Sequence, residues 1–256
     1  MLRIRKEQIQ AFEIAALHNF ENEMVEHSRN FTPKLCEVLG EEKLRIAIKH
    51  AMSRASEYGF TNRGPIRLYI EMTYLFGSDF DTDPQYPIFN LILNEDNDQM
   101  VRAEKLHNEI TTYLADIAGP NAENVFSALE SVASFSRKPM NLSSERFHNE
   151  IKQELVMAFP KKTEYVGDDG LNKLIDNGRK LAKKYEFPEI RGDTLLIILM
   201  FAFGHGCTND PLYPWIRNTL IDKRIQDSVS RAARLEKKAL TWLDHVLSAP
   251  RNEARL

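Results

Sequence analysis

Cysteine is nearly missing from this chain, with two in 256 residues, Cys36 and Cys207. Two thiols cannot build a disulfide framework, and these lack metal-ligand spacing, so a reducing compartment fits best. Long apolar runs are missing too. The most apolar stretch, Leu195 to Phe203, is nine residues, whereas a bilayer-spanning helix needs about 20; it reads as a buried helix. No charge sign dominates: 34 Lys and Arg against 37 Asp and Glu leave a net charge of −3, so no global basic field attracts nucleic acid. The opening residues Met1 to Glu7 run into a charged amphipathic pattern without an apolar stretch and cleavage site, so no secretory signal is expected and a cytoplasmic location is. Walker loops, dinucleotide-binding glycine patterns, Gly-x-Ser-x-Gly elbows and His-Glu-x-x-His pairs are all lacking. Neither a cofactor nor a bound metal is expected.

Helical periodicity is what the chain has instead. Ile9, Phe12, Ala16, Phe20 and Met24 fall on one face between Gln8 and Val25. Leu44, Ala47, Ile48, Ala51, Met52 and Ala55 repeat the pattern, with Gly59 after Tyr58 as a C-cap. Gly64-Pro65 opens a helix through Leu68, Ile70, Met72, Tyr74 and Leu75 that ends at Gly77. Further helices are expected over 97–117, 121–135, 144–158, 169–185, 193–203 and 219–247. Alternating strand patterns are absent. The fold class is all-α, with residues 136–141 as a linker between a first unit, 1–135, and a second, 136–256.

The two units repeat. Setting Phe20 on Phe147, an offset of 127 (147 − 20), aligns residues 20–87 with 147–214 without a gap and gives 20 identities in 68 positions. Gly40 meets Gly167, Tyr58 meets Tyr185, and Phe76-Gly77 meets Phe203-Gly204. Asp83-Pro84-x-Tyr86-Pro87 meets Asp210-Pro211-x-Tyr213-Pro214. Apolar matches alone arise by chance between helices; shared Gly, Pro and Asp punctuation in one register does not. A tandem duplication packed about a pseudo-twofold axis is the expectation. The shared motif reads as structural: Gly77 and Gly204 as left-handed helix ends, Asp83 and Asp210 as caps of the next turn, Pro84 and Pro211 at its first position, and Tyr86 and Tyr213 as anchors.

Candidate chemistry centres on the loops after those glycines. Asp79, Asp81 and Asp83 alternate like the start of a calcium loop. Pro84, however, stands where the sharp-turn glycine belongs and Asn90 where the closing glutamate belongs. The second copy keeps one acid of the three, Asp210, beside Gly206 and Thr208. A solvated acidic loop is the simpler reading. His205-Gly206-Cys207 suggests a thiol nucleophile, but its counterparts are Ser78 and Phe80, and adjacency in sequence does not place an imidazole on a sulfur. His107 and His148 read as helix-surface residues. Lys161-Lys162, Arg179 to Lys184 and Lys237-Lys238 are basic clusters on polar faces, which makes nucleic acid a weak candidate partner.

The stretches Leu68 to Pro87 and Leu199 to Gly206, with the opening Ile4-Arg5-x2-Gln8-x2-Ala11-Phe12 and Phe20 to His27, resemble a family of bacterial helical proteins encoded beside type VI secretion spike and effector genes. That resemblance implies an accessory role, as immunity protein, effector chaperone or adaptor, and brings no catalytic residues. The leading expectation is a non-enzymatic module that binds another protein, a toxin, effector or spike component. Contacts are expected at Asp79, Phe80, Asp81, Asp83, His205 and Asp210, where the copies diverge between preserved caps. The rival is a metal-dependent hydrolase using the three acids, or a thiol-dependent one using Cys207 and His205. A self-assembling structural component is the third option.

Overall fold

A computed structural model describes residues 5–135 and 142–248. The expected linker 136–141 therefore lies outside the described residues. Among these residues every regular element is helical, and no helix is long and apolar enough to cross a membrane. In chain order they are α1 Lys6–Phe31, α2 Pro33–Leu39, α3 Glu41–Glu57, α4 Arg63–Phe76, α5 Pro87–Leu93 and α6 Gln99–Tyr113. A π-helical turn, Leu114–Ala118, and a 3-10 turn, Pro120–Ala122, lead into α7 Glu123–Phe135. Then follow α8 Phe147–Ala158, α9 Pro160–Lys184, α10 Arg191–Phe203, α11 Pro214–Leu220 and α12 Ser228–Ser248.

The pattern of apolar residues explains most of these helices and misleads at three places. The α1 stripe continues unbroken in sequence, yet Phe12 is 69% exposed while Phe20 and Met24 are buried. The helix packs on α3 and α4, and the buried residues described in it lie toward its C-terminal end. The helix expected over 219–247 is two helices. Asp222 accepts from the Arg224 amide and makes a local turn, and Asp227 accepts from the Ser230 amide as the cap that starts α12. The helix expected to 117 leaves α geometry after Tyr113 and finishes as the π turn.

Backbone conformation repeats at a separation of 127 residues (204 − 77). Gly77 and Gly204 have φ/ψ of 93/160° and 91/156°, Tyr86 and Tyr213 have −133/53° and −122/54°, and Gly40 and Gly167 have 73/160° and 68/173°. Gly167 breaks α9 where Gly40 separates α2 from α3. The core is one continuous apolar cluster drawn from both halves, including Ile48, Tyr69, Ile70, Phe80 and Phe89 from the first and Phe147, Leu174, Ile197 and Ile216 from the second. Burying side chains of this size contributes about 1.5–3 kcal/mol each.

Candidate functional site

The two glycine-ended helices meet at the centre, where each half completes the other. A Cβ on Gly77 would stand 2.5 Å from the Phe203 carbonyl oxygen, and one on Gly204 would stand 2.7 Å from that of Phe76. Their positive φ with extended ψ is a conformation side chains rarely adopt, so glycine is required twice over; it is not the left-handed helical end expected. Asp210 accepts from the Ser78 amide at 2.8 Å and the Ser78 hydroxyl at 2.6 Å, and Asp83 accepts from the His205 amide at 2.7 Å. Each aspartate also accepts from the amide two residues on, Gln85 or Leu212, both at 2.8 Å. The two aspartates thus close the non-helical turns at Pro84 and Pro211 and, beyond that, bolt the opposite half; the helices themselves begin three residues later than expected, with Tyr86 and Tyr213 as their N-caps. Tyr86 and Tyr213 are buried against Phe76 and Phe203, ring centroids 4.9 and 4.4 Å away.

Burial corrects the picture of a solvated acidic loop. Phe80, Asp81, Asp83 and Asp210 are buried, and only Asp79 and His205 are half-exposed. Asp81 is paired with Arg54 and accepts from the Tyr58 hydroxyl at 2.8 Å, while its backbone carbonyl accepts from Asn90. The residue that fails as a calcium ligand therefore ties the loop down. Buried carboxylates spent on such partners are not free to meet another protein. Among the described residues, no group of three or more His, Cys, Asp or Glu could hold a metal ion. Cys207 is fully buried, and burial with the neighbouring Asp210 and Asp83 pushes its thiol well above its ordinary range, the reverse of what a thiolate nucleophile needs. His205 Nε2 meets the Thr82 hydroxyl at 3.2 Å. Pro84, Pro211 and Pro214 are half-buried and Pro87 is exposed; Pro87 and Pro214 start α5 and α11.

A different place has the form of a binding site. A hollow of about 570 Å³ opens beneath α7, walled by Phe31, Tyr74, Tyr113, Phe203 and Trp242, with Lys162 in its lining. A second hollow of about 440 Å³ runs between α7, α10 and α12 past Leu195, Leu199 and Leu240. The two share Leu129, Val132, Ala202 and Phe203 as walls. Interlocked rings hold the surface in place: Phe203 stands edge-on to Trp242 at 4.7 Å, and Phe76 edge-on to Tyr113 at 5.0 Å. The rim is formed by the π turn and by Asn121 and Ala122, at φ 51° and 57°. Left-handed non-glycine residues cost about 1–2 kcal/mol each, and such strain concentrates at ligand clamps. Asn124 steadies the turn by donating to the Ile117 carbonyl at 3.1 Å.

Lys162 is the cationic group of this hollow. Set in the first turn of α9, it is buried, donates to the Phe201 carbonyl, and places its ammonium 4.5 Å from the Phe201 ring centre and 5.5 Å from that of Tyr86. Among the described residues, no carboxylate lies within ion-pair distance of it. Burial pulls its pKa down to about 8, opposed by Asp83, whose own oxygens already serve Gln85 and His205. The polar-face reading of Lys161-Lys162 thus fails at Lys162. The alignment held a signal for it: Lys162 stands where the first half has Leu35 (162 − 35 = 127), an apolar residue packed on the core.

No protein-family model, curated protein or solved structure matches the chain.

Proposed function

We propose that this protein is a binding protein rather than a catalyst, and that it holds a small, largely apolar molecule in the hollow beneath α7 that Lys162 lines. The observation that carries this reading is the hollow itself. Its volume of about 570 Å³ falls inside the range of roughly 300–1,000 Å³ typical of ligand pockets, and its walls are aromatic and aliphatic with one basic group, Lys162, whose pKa burial lowers. The buried, proton-holding thiol of Cys207 and the engagement of Asp81 with Arg54 weigh against the hydrolase alternatives. Calorimetric titration with 1-decanol tests the reading. A saturable one-to-one isotherm is expected, abolished by Ala202→Trp, whose indole fills the wall common to both hollows, with the circular dichroism spectrum unchanged. No saturable heat from the unaltered protein contradicts the reading.

A second reading keeps the accessory role implied by the type VI resemblance, in the cytoplasm, as immunity protein, chaperone or adaptor. What favours it is the first half of α1, where Phe12, Ile14 and Leu17 are 69%, 69% and 59% exposed. Singly exposed apolar residues are ordinary, but three within two turns, with Phe12 on the face opposite Ile14 and Leu17, give a partner apolar holds on both faces of the helix. The contact surface in this reading moves from the loops to α1. Co-purification with the product of a neighbouring gene, lost in a Phe12→Ser/Ile14→Ser variant, is the expected result; capture unaffected by that variant removes α1 from the reading.

We also infer a tandem duplication with pseudo-twofold packing. The reciprocal glycine and aspartate contacts support it, since an exchange of like residues between like positions is what a twofold axis generates.

A further inference from the structure

Lys162 carries more than its place in a wall. A buried ammonium is costly unless paired. Here one N–H goes to the Phe201 carbonyl and two ring faces, Tyr86 and Phe201, lie near the charge. Ring faces and a carbonyl offset part of the lost hydration without supplying a counter-charge. The neighbouring Asp83 is committed to the central crossing through Gln85 and the His205 amide. Lys162 thus lines an apolar, aromatic hollow, its ammonium with donor capacity unspent, and that hollow shares four walls with a second, aliphatic one leading away from it. The opposite half has Leu35 at the equivalent position, so packing at this place does not require a lysine.

We propose that the hollow takes an amphipathic carboxylate, with its head on Lys162 and its acyl tail running past Phe203 and Trp242 toward Leu199 and Leu240. This rests on the ligand-binding reading above and adds the head-group chemistry. A carboxylate accepts the spare N–H bonds and supplies the missing charge in the same stroke. The aliphatic hollow takes the chain, which a compact polar anion such as phosphate would leave empty. A quaternary ammonium head is excluded by like charge, and a neutral alcohol leaves the cation unpaired.

The test uses the full chain at pH 7 and compares decanoate, 1-decanol and decyltrimethylammonium by calorimetry. Decanoate is expected to bind at least tenfold more tightly than 1-decanol, and the cation more weakly than either. Lys162→Leu, which installs the residue of the other half, is expected to weaken decanoate about tenfold and leave 1-decanol unchanged. A second readout needs no variant. Repeating the decanoate titration near pH 8.5 in two buffers of different ionisation enthalpy should reveal proton uptake that 1-decanol does not produce. Equal affinity for decanoate and 1-decanol in the unaltered protein, or a preference that survives Lys162→Leu, overturns the carboxylate assignment while the hollow remains a ligand site. Failure of all three probes to bind overturns the ligand reading together with it.

Discussion

Lys162 shows how one side chain can cost the fold and serve the site. Its pKa falls from 10.5 to about 8 on folding, so between those values the unfolded chain binds more protons than the native one. Stability then rises with pH across that window. A fall of that size corresponds to about 3 kcal/mol. Urea denaturation of the unaltered protein and Lys162→Leu at pH 7, 9 and 10.5 should show the difference between them moving by that amount in favour of the unaltered protein as pH rises. A difference that stays flat contradicts a buried charge without a counter-ion. At Gly77 a methyl group meets the Phe203 carbonyl oxygen at 2.5 Å with φ at 93°. Gly77→Ala should therefore lose more than about 2 kcal/mol in the same assay, and a loss below 0.5 kcal/mol would argue against the crossing. The glycines were legible in the sequence as punctuation shared between halves. Their reciprocal contact was not, because nothing local encodes which residue the bare Cα faces. Lys162 was legible only by comparison with Leu35, since its burial comes from the packing of α9 beneath α10 and not from its charged neighbours Lys161 and Glu164.

Among the elements, the long helices follow from apolar periodicity, whereas α2, α5 and α11, seven residues each, escape it. Two turns hold too few apolar positions to establish a period. Proline at the first position is their common sign, Pro33, Pro87 and Pro214, because its missing N–H costs nothing there. The first helix shows the opposite failure, a clear period along which Phe12 is exposed while Phe20 and Met24 are buried. Substitutions along that single stripe should accordingly differ in effect. Phe12→Ser should change stability by less than about 0.5 kcal/mol. Phe20→Ala, which vacates a buried site beneath Arg63, should cost about 3–5 kcal/mol. Equal effects at the two positions would mean that the first half of α1 is buried in solution. The rim of the hollow was not legible at all: a π turn and two consecutive left-handed residues, Asn121 and Ala122, have no composition signature beyond Gly119-Pro120.

Across the whole molecule, the register of 127 residues and the reciprocal Asp83–His205 and Ser78–Asp210 bonds join two similar halves into one core. The chain should therefore unfold in a single thermal transition, and a fragment ending at residue 135 should not reach a folded state, because Gly77 and Ser78 lose the surface that completes them. Two resolved transitions, or a folded fragment, would show the halves to be independent. The register of 127 residues was legible because caps and turns are specified locally. The hollow was not, since it is bounded by helices from both halves and exists only once they have closed on each other. The most direct test of the account is methyl NMR of leucine- and valine-labelled protein titrated with decanoate. The account predicts saturable shifts gathered at Leu129, Val132, Leu199 and Leu240, with little change near Asp79. Absence of saturable shifts, or shifts gathered at the crossed loops instead, would contradict it.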